Sequence, residues 1–119
     1  VETYFIEITS QNFHALFPVR SVGFYYDYEY FKSEESVFFE TLANNFHGIT
    51  DKIKMESLED ELTFTAISYK TGHFILEVSY DSTKLGDTDF SFKKFIQLEA
   101  GELEDISKRV NKFFSKRDL

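Results

Sequence analysis

Residues 62–80, LTFTAISYKTGHFILEVSY, alternate apolar and polar side chains on both sides of a Lys70-Thr71-Gly72 turn. Leu62, Phe64, Ala66 and Ser68 fall on one face of the first half, and Thr63, Thr65, Ile67 and Tyr69 on the other. In the second half, Phe74, Leu76, Val78 and Tyr80 point one way, and His73, Ile75, Glu77 and Ser79 the other. A period of two across a tight turn is the pattern of an antiparallel hairpin with one buried face.

Working outward, Asp89 to Leu98 reads as a further strand, its alternation slipping at Lys93-Lys94, which predicts a bulge. Asp81 to Thr88 is a charged loop, Glu59, Asp60 and Glu61 form an acidic turn, and Lys52 to Ser57 a short strand. At the N-terminal end, Val1 to Ile8 alternates as a strand, Thr9 to Ser21 reads as a connection with a helical turn near Asn12 to Leu16, and Val22 to Phe31 as a long aromatic strand. Two segments change period. Ser33 caps a helix expected over Glu34 to Phe46, with Phe38, Leu42 and Phe46 as its stripe and Gly48 as its stop. Gly101 to Lys116 is the second, burying Leu103, Ile106, Val110 and Phe113, with acids at its start and bases at its end as the helix dipole favours. The expected order is β-β-α-β-β-β-β-α. It describes an α+β fold, a mainly antiparallel sheet of about five to six strands with both helices on one face and the other face open.

The chain has 119 residues, the length of one domain, and no stretch rich in proline, glycine or serine divides it, so residues 1–119 are expected to form a single domain. Fifteen Phe and seven Tyr make an aromatic core and exclude intrinsic disorder. The absence of cysteine excludes disulfides, thiolate catalysis and thiolate metal sites, and fits a reducing cytoplasm as well as a periplasmic protein. No apolar run approaches the roughly 18 residues of a membrane span, nor does any resemble a signal peptide.

Thirteen Lys and Arg against 21 Asp and Glu give a net charge of −8. The first 107 residues hold eight bases and 20 acids, net −12. Such a body repels phosphate and anionic membranes, which argues against nucleic-acid and membrane partners and for a basic protein partner. Catalytic chemistry finds no foothold. His14, His47 and His73 belong to no metal-binding spacing, no phosphate-binding glycine loop or nucleophile elbow occurs, and the many carboxylates read as a solvated surface. Residues 81–87 lack the acids of a calcium loop. No cofactor or metal is expected, and no enzyme activity. What remains is surface. Tyr25, Asp27 and Glu29 with Tyr69 and Glu77 on the outer sheet face, and Glu59, Asp60, Glu61 and Asp87 in adjoining loops, are the expected contacts for a basic partner.

The aromatic strand, the helix Ser33-Glu34-Glu35-Ser36-Val37-Phe38-Phe39-Glu40-Thr41-Leu42, the strand Thr71-Gly72-His73-Phe74-Ile75-Leu76-Glu77-Val78 and the terminal LEDISKRVNKFF (103–114) together resemble the WapI-type immunity proteins of contact-dependent growth inhibition systems. The likeness runs from Val22 to Phe114. It implies a cytoplasmic antitoxin, monomeric in the simplest case, that binds a cognate toxin domain, often a nuclease, and occludes its active site. The alternative is an acidic secretion chaperone holding an effector segment, although such chaperones typically begin with a helix.

Overall fold

The computed structural model describes residues 2–21, 33–45, 52–70, 72–86 and 90–114. Its elements are β1 (Glu2–Ser10), β2 (Phe13–Ser21), α1 (Glu34–Asn44), β3 (Ile53–Glu56), β4 (Leu62–Lys70), β5 (His73–Asp81), a short 3-10 helix (Ser82–Leu85), β6 (Ser91–Glu99) and α2 (Ala100–Phe114). The fold is α+β in the expected order, with every strand pairing antiparallel. The strands divide into two sheets, the hairpin β1-β2 and a four-stranded sheet in the order β3-β4-β5-β6.

The second strand is not where the sequence reading put it. Thr9 to Ser21 is no connection and holds no helical turn: the chain reverses at Gln11-Asn12, and Phe13 to Ser21 pairs along all of β1. Pro18 disguised the strand. Its carbonyl accepts from the Tyr80 hydroxyl (2.7 Å), so its backbone faces away from β1 and the missing N–H costs no ladder bond. The long aromatic strand expected over Val22 to Phe31 lies outside the described residues, as do Phe46 and Gly48.

In α1 the Ser33 side chain accepts from the Ser36 backbone N–H (3.1 Å), a cap worth about 1 kcal/mol. The helix lays Phe38 and Phe39 against Phe64 of β4 at ring separations of 5.5 and 5.6 Å. The inward residues of the large sheet, Leu62, Phe64, Ala66, Phe74, Leu76, Val78 and Tyr80, are all buried, and both helices and the hairpin share that core. The hairpin reaches it through Phe17, whose ring lies 4.4 Å from Tyr80 and 5.1 Å from Phe92. In α2, Leu103 is buried as expected. Ile106 and Val110 are only half-buried, and Phe113, expected inside, is 47 % exposed while Phe114 takes its place. Both rings meet Tyr4 edge-on, Phe114 at 5.0 Å and Phe113 at 5.9 Å, with Phe114 the one that is buried.

β6 pairs with β5 from end to end without a shift, so the expected bulge at Lys93-Lys94 does not exist; the irregularity falls between Ser68 and Lys70 of β4. Lys94 simply points inward on the sheet edge. Its ammonium sits 5.4 Å from the centre of the Phe13 ring, which offsets the placing of a charge beside the core. Gly72, at φ +78, makes the β4-β5 turn and anchors α2, its carbonyl accepting from the Ala100 N–H (2.9 Å).

Candidate functional site

With the helices and the hairpin all on one side, the other side of the four-stranded sheet carries no packed layer among the described residues. The register puts Thr65, Glu77 and Phe95 in one row across it, and Ile67, Ile75 and Gln97 in the next. Ile67 is 39 %, Tyr69 48 % and Phe95 60 % exposed, so an apolar centre stands open to solvent. The Tyr69 ring lies 5.7 Å from the ring of His73.

Charges surround this centre and are locally paired. Glu77 lies 3.5 Å from Lys93 on the next strand, and His73 Nδ1 lies 2.5 Å from Glu99 without the alignment of a hydrogen bond. Glu77 is therefore a carboxylate with a basic neighbour and not a bare one.

The residues expected to contact a partner do not form one patch. Tyr69 and Glu77 share the outer face. Glu59 and Asp60 are exposed, but their turn sits at the far end of the sheet, with Asp60 in the left-handed region at φ 62. From Leu62 to Tyr69 a strand rising roughly 3.4 Å per residue covers about 24 Å. Tyr25, Asp27, Glu29 and Asp87 lie outside the described residues.

Glu61 needs correction. It is 1 % exposed, and its carboxylate accepts hydrogen bonds from the Ser57 hydroxyl and the Arg20 backbone N–H (2.7 Å). Its own carbonyl accepts from the Asp81 N–H (2.9 Å). The side chain that looked like a third acid of a solvated turn instead ties β2 to the large sheet. It is unavailable to a partner.

A second carboxylate is buried where the sequence showed only a helix start. Glu35 accepts from the Tyr4 hydroxyl at 2.5 Å, joining α1 to the hairpin. Burial pushes the Glu35 carboxyl above the usual carboxylate range, with the Tyr4 hydrogen bond opposing and the Glu34 and Glu61 charges adding to the rise. Burial likewise raises the Tyr4 hydroxyl, helped by the Glu35 charge. An acid whose folded pKa lies above its unfolded one stabilises fully below the unfolded value, and that contribution is lost as pH rises through the folded value. Glu35→Gln keeps an acceptor for Tyr4 without the charge. Its unfolding free energy, followed from pH 4 to 8, is expected to fall less with rising pH than the parent's; parallel curves would mean that Glu35 does not titrate in the fold.

Sequence reasoning missed Phe95 and Lys93, because the supposed bulge broke the face assignment of that strand; Phe92, Ile96 and Leu98 keep one phase, and that shared phase was the signal placing Lys93 and Phe95 on the other face. It also missed a smaller apolar surface on the hairpin, where Phe5 (63 % exposed) stands opposite Pro18, with Leu16 (61 %) beside them. Asp81 has its carboxylate engaged by the Thr83 hydroxyl (2.6 Å) and N–H (3.0 Å), bonds that hold its pKa below the usual range. Among the described residues no cluster of three His, Cys, Asp or Glu could hold a metal ion, and no helix is long and apolar enough to cross a membrane.

A family model described as "Family of unknown function (DUF6228)" matches residues 2–117. Neither a curated protein nor a solved structure matches the chain.

Proposed function

The chain belongs to the DUF6228 family, and we propose that it is a non-catalytic immunity protein that binds a basic toxin domain, of the nuclease kind, and occludes its active site. The observation that carries this reading is the open outer face of the four-stranded sheet, with Tyr69, Ile67 and Phe95 exposed on a chain of net charge −8. An apolar, aromatic centre gives a contact surface its affinity. The negative field of the whole protein accelerates encounter with a cationic partner, and a nuclease must be cationic where it meets its substrate backbone. The resemblance to WapI-type immunity proteins points the same way. Binding is stoichiometric, and the cytoplasm, where a toxin would reach its substrate, is the compartment this role requires.

The acids divide by position. Glu59 and Asp60, in the turn at one end of the sheet, act mainly on association, whereas Glu77 lies within the open face, opposite Phe95 and beside Lys93. The test is survival of cells expressing the toxin domain encoded beside this protein's gene, with and without the protein. Protection by the parent supports the reading, and death at equal rates with and without it rejects the reading.

A further inference from the structure

Among the described residues two charged side chains are buried, Glu35 at 5 % and Glu61 at 1 % exposure, and both take hydrogen bonds from the hairpin. Glu61 holds the Arg20 backbone N–H of β2, and Glu35 holds the Tyr4 hydroxyl of β1 at 2.5 Å. Three elements meet at Tyr4. Its hydroxyl reaches the first turn of α1, and its ring touches Phe114 and Phe113 at the end of α2. No ladder joins the hairpin to the large sheet among the described residues, so side chains seat this half of β1.

Among the described residues, the charges that act on Glu35 are negative. Glu34 stands beside it on α1, Glu61 lies at the head of β4, and β1 faces it with the Tyr4 hydroxyl. A carboxylate in this position loses its hydration and is repelled by both neighbours. The Tyr4 hydroxyl and a backbone hydrogen bond favour the charged form, but burial outweighs them and holds the carboxyl above the usual range. Loss of the Glu35 proton therefore sets a second negative charge beside that of Glu61 inside one core. Opening the joint at Tyr4 lets water reach it.

We propose that Tyr4 and Glu35 form a proton-operated latch: with Glu35 protonated, the first half of β1 stays seated on the start of α1 and the end of α2, and release of that proton to solvent unseats it while the four-stranded sheet remains folded. The Glu35 pKa is higher in the seated state than in the unseated one. The latch is therefore fully closed below the unseated value and weakens as pH rises to the seated value. One proton per opening limits the weakening to about tenfold per pH unit. The loosening is local, confined to the elements that meet at Tyr4. It lies on the helical side of the sheet and stands independently of the outer-face reading.

Hydrogen exchange of the 15N-labelled full chain, converted to protection factors from about pH 4 to 8, tests the latch, with the Glu35 carboxyl 13C shift followed over the same range. Protection of residues 3–6 and 110–114 is expected to fall by about tenfold or more, and that of residues 74–80 by less than about threefold. The Glu35 carboxyl should titrate above the ordinary value of about 4.3. In Glu35→Gln the fall at residues 3–6 should vanish. In Tyr4→Phe, which keeps the ring, protection there should be lower at every pH and the fall retained. Protection at residues 3–6 that is flat, or that falls no more than at 74–80, overturns the proposal. So does a fall that persists in Glu35→Gln, which would assign the titration to another group, such as the exposed pair of His14 and Glu7 on the hairpin. A Glu35 carboxyl that titrates at or below about 4.3 overturns it even if neither variant folds.

Discussion

Phe17→Ala is expected to lower the unfolding free energy by about 4 kcal/mol, the cost of a large buried ring and the cavity it leaves. Phe17 is 1 % exposed and carries the contact between the hairpin and the large sheet, with the rings of Tyr80 and Phe92 at 4.4 and 5.1 Å. Among the described residues the two sheets share no ladder, and they are joined by side-chain contacts, these rings and Phe13 against Phe92 and Lys94 among them, with the bond from Tyr80 to the Pro18 carbonyl and the bond from the Arg20 N–H to Glu61. Leu16, one residue earlier and 61 % exposed, is the internal control: Leu16→Ala should cost within about 0.5 kcal/mol. Urea unfolding of both variants gives the comparison. Equal costs would mean that the hairpin is not seated on the sheet.

The second large effect is on binding. On the proposed function, Phe95→Asp and Tyr69→Ala are each expected to weaken binding of the cognate toxin domain by about 2 kcal/mol or more, roughly 30-fold, because both stand at the open apolar centre of the outer face. Each should leave the protein folded at a cost of about 1 kcal/mol, since Tyr69 is 48 % and Phe95 60 % exposed and an Asp at 95 stands opposite Glu77. Glu59→Lys and Asp60→Lys should cost well under about 1 kcal/mol and act on the association rate, with an effect that fades as salt shortens the screening length to below about 8 Å. Calorimetry and stopped-flow kinetics separate the two classes. If the charge reversals at the turn cost more than Phe95→Asp, the contact lies at the end of the sheet and not on its face.

The parts of the fold legible in sequence were those where local period and packing agree. The hairpin 62–80 alternates cleanly because one face is buried throughout, and α1 and α2 declare themselves through their stripes and the Ser33 cap. β2 was not legible because its period is interrupted by Pro18, a residue that reads as a loop until the direction of its carbonyl is known. β6 was legible as a strand but not in phase, since an inward Lys94 violates the expected pattern and only the Phe13 ring beneath it explains the position. The site was half legible. Tyr69 and Glu77 could be assigned to the outer face by counting, whereas the burial of Glu61 depends on β2 and on the Ser57 hydroxyl, tertiary partners that no local pattern reveals. An acidic triplet looks like surface until its third member is seen holding two sheets together.

The most direct measurement of the proposed function is a titration, with this protein, of the activity of a toxin domain found encoded beside its gene, parent and Phe95→Asp side by side. The account predicts that the parent abolishes activity at one equivalent, and that at the same ratio the Phe95→Asp protein leaves most of it intact. Full toxin activity in a tenfold excess of the parent, or equal inhibition by both proteins, would contradict it.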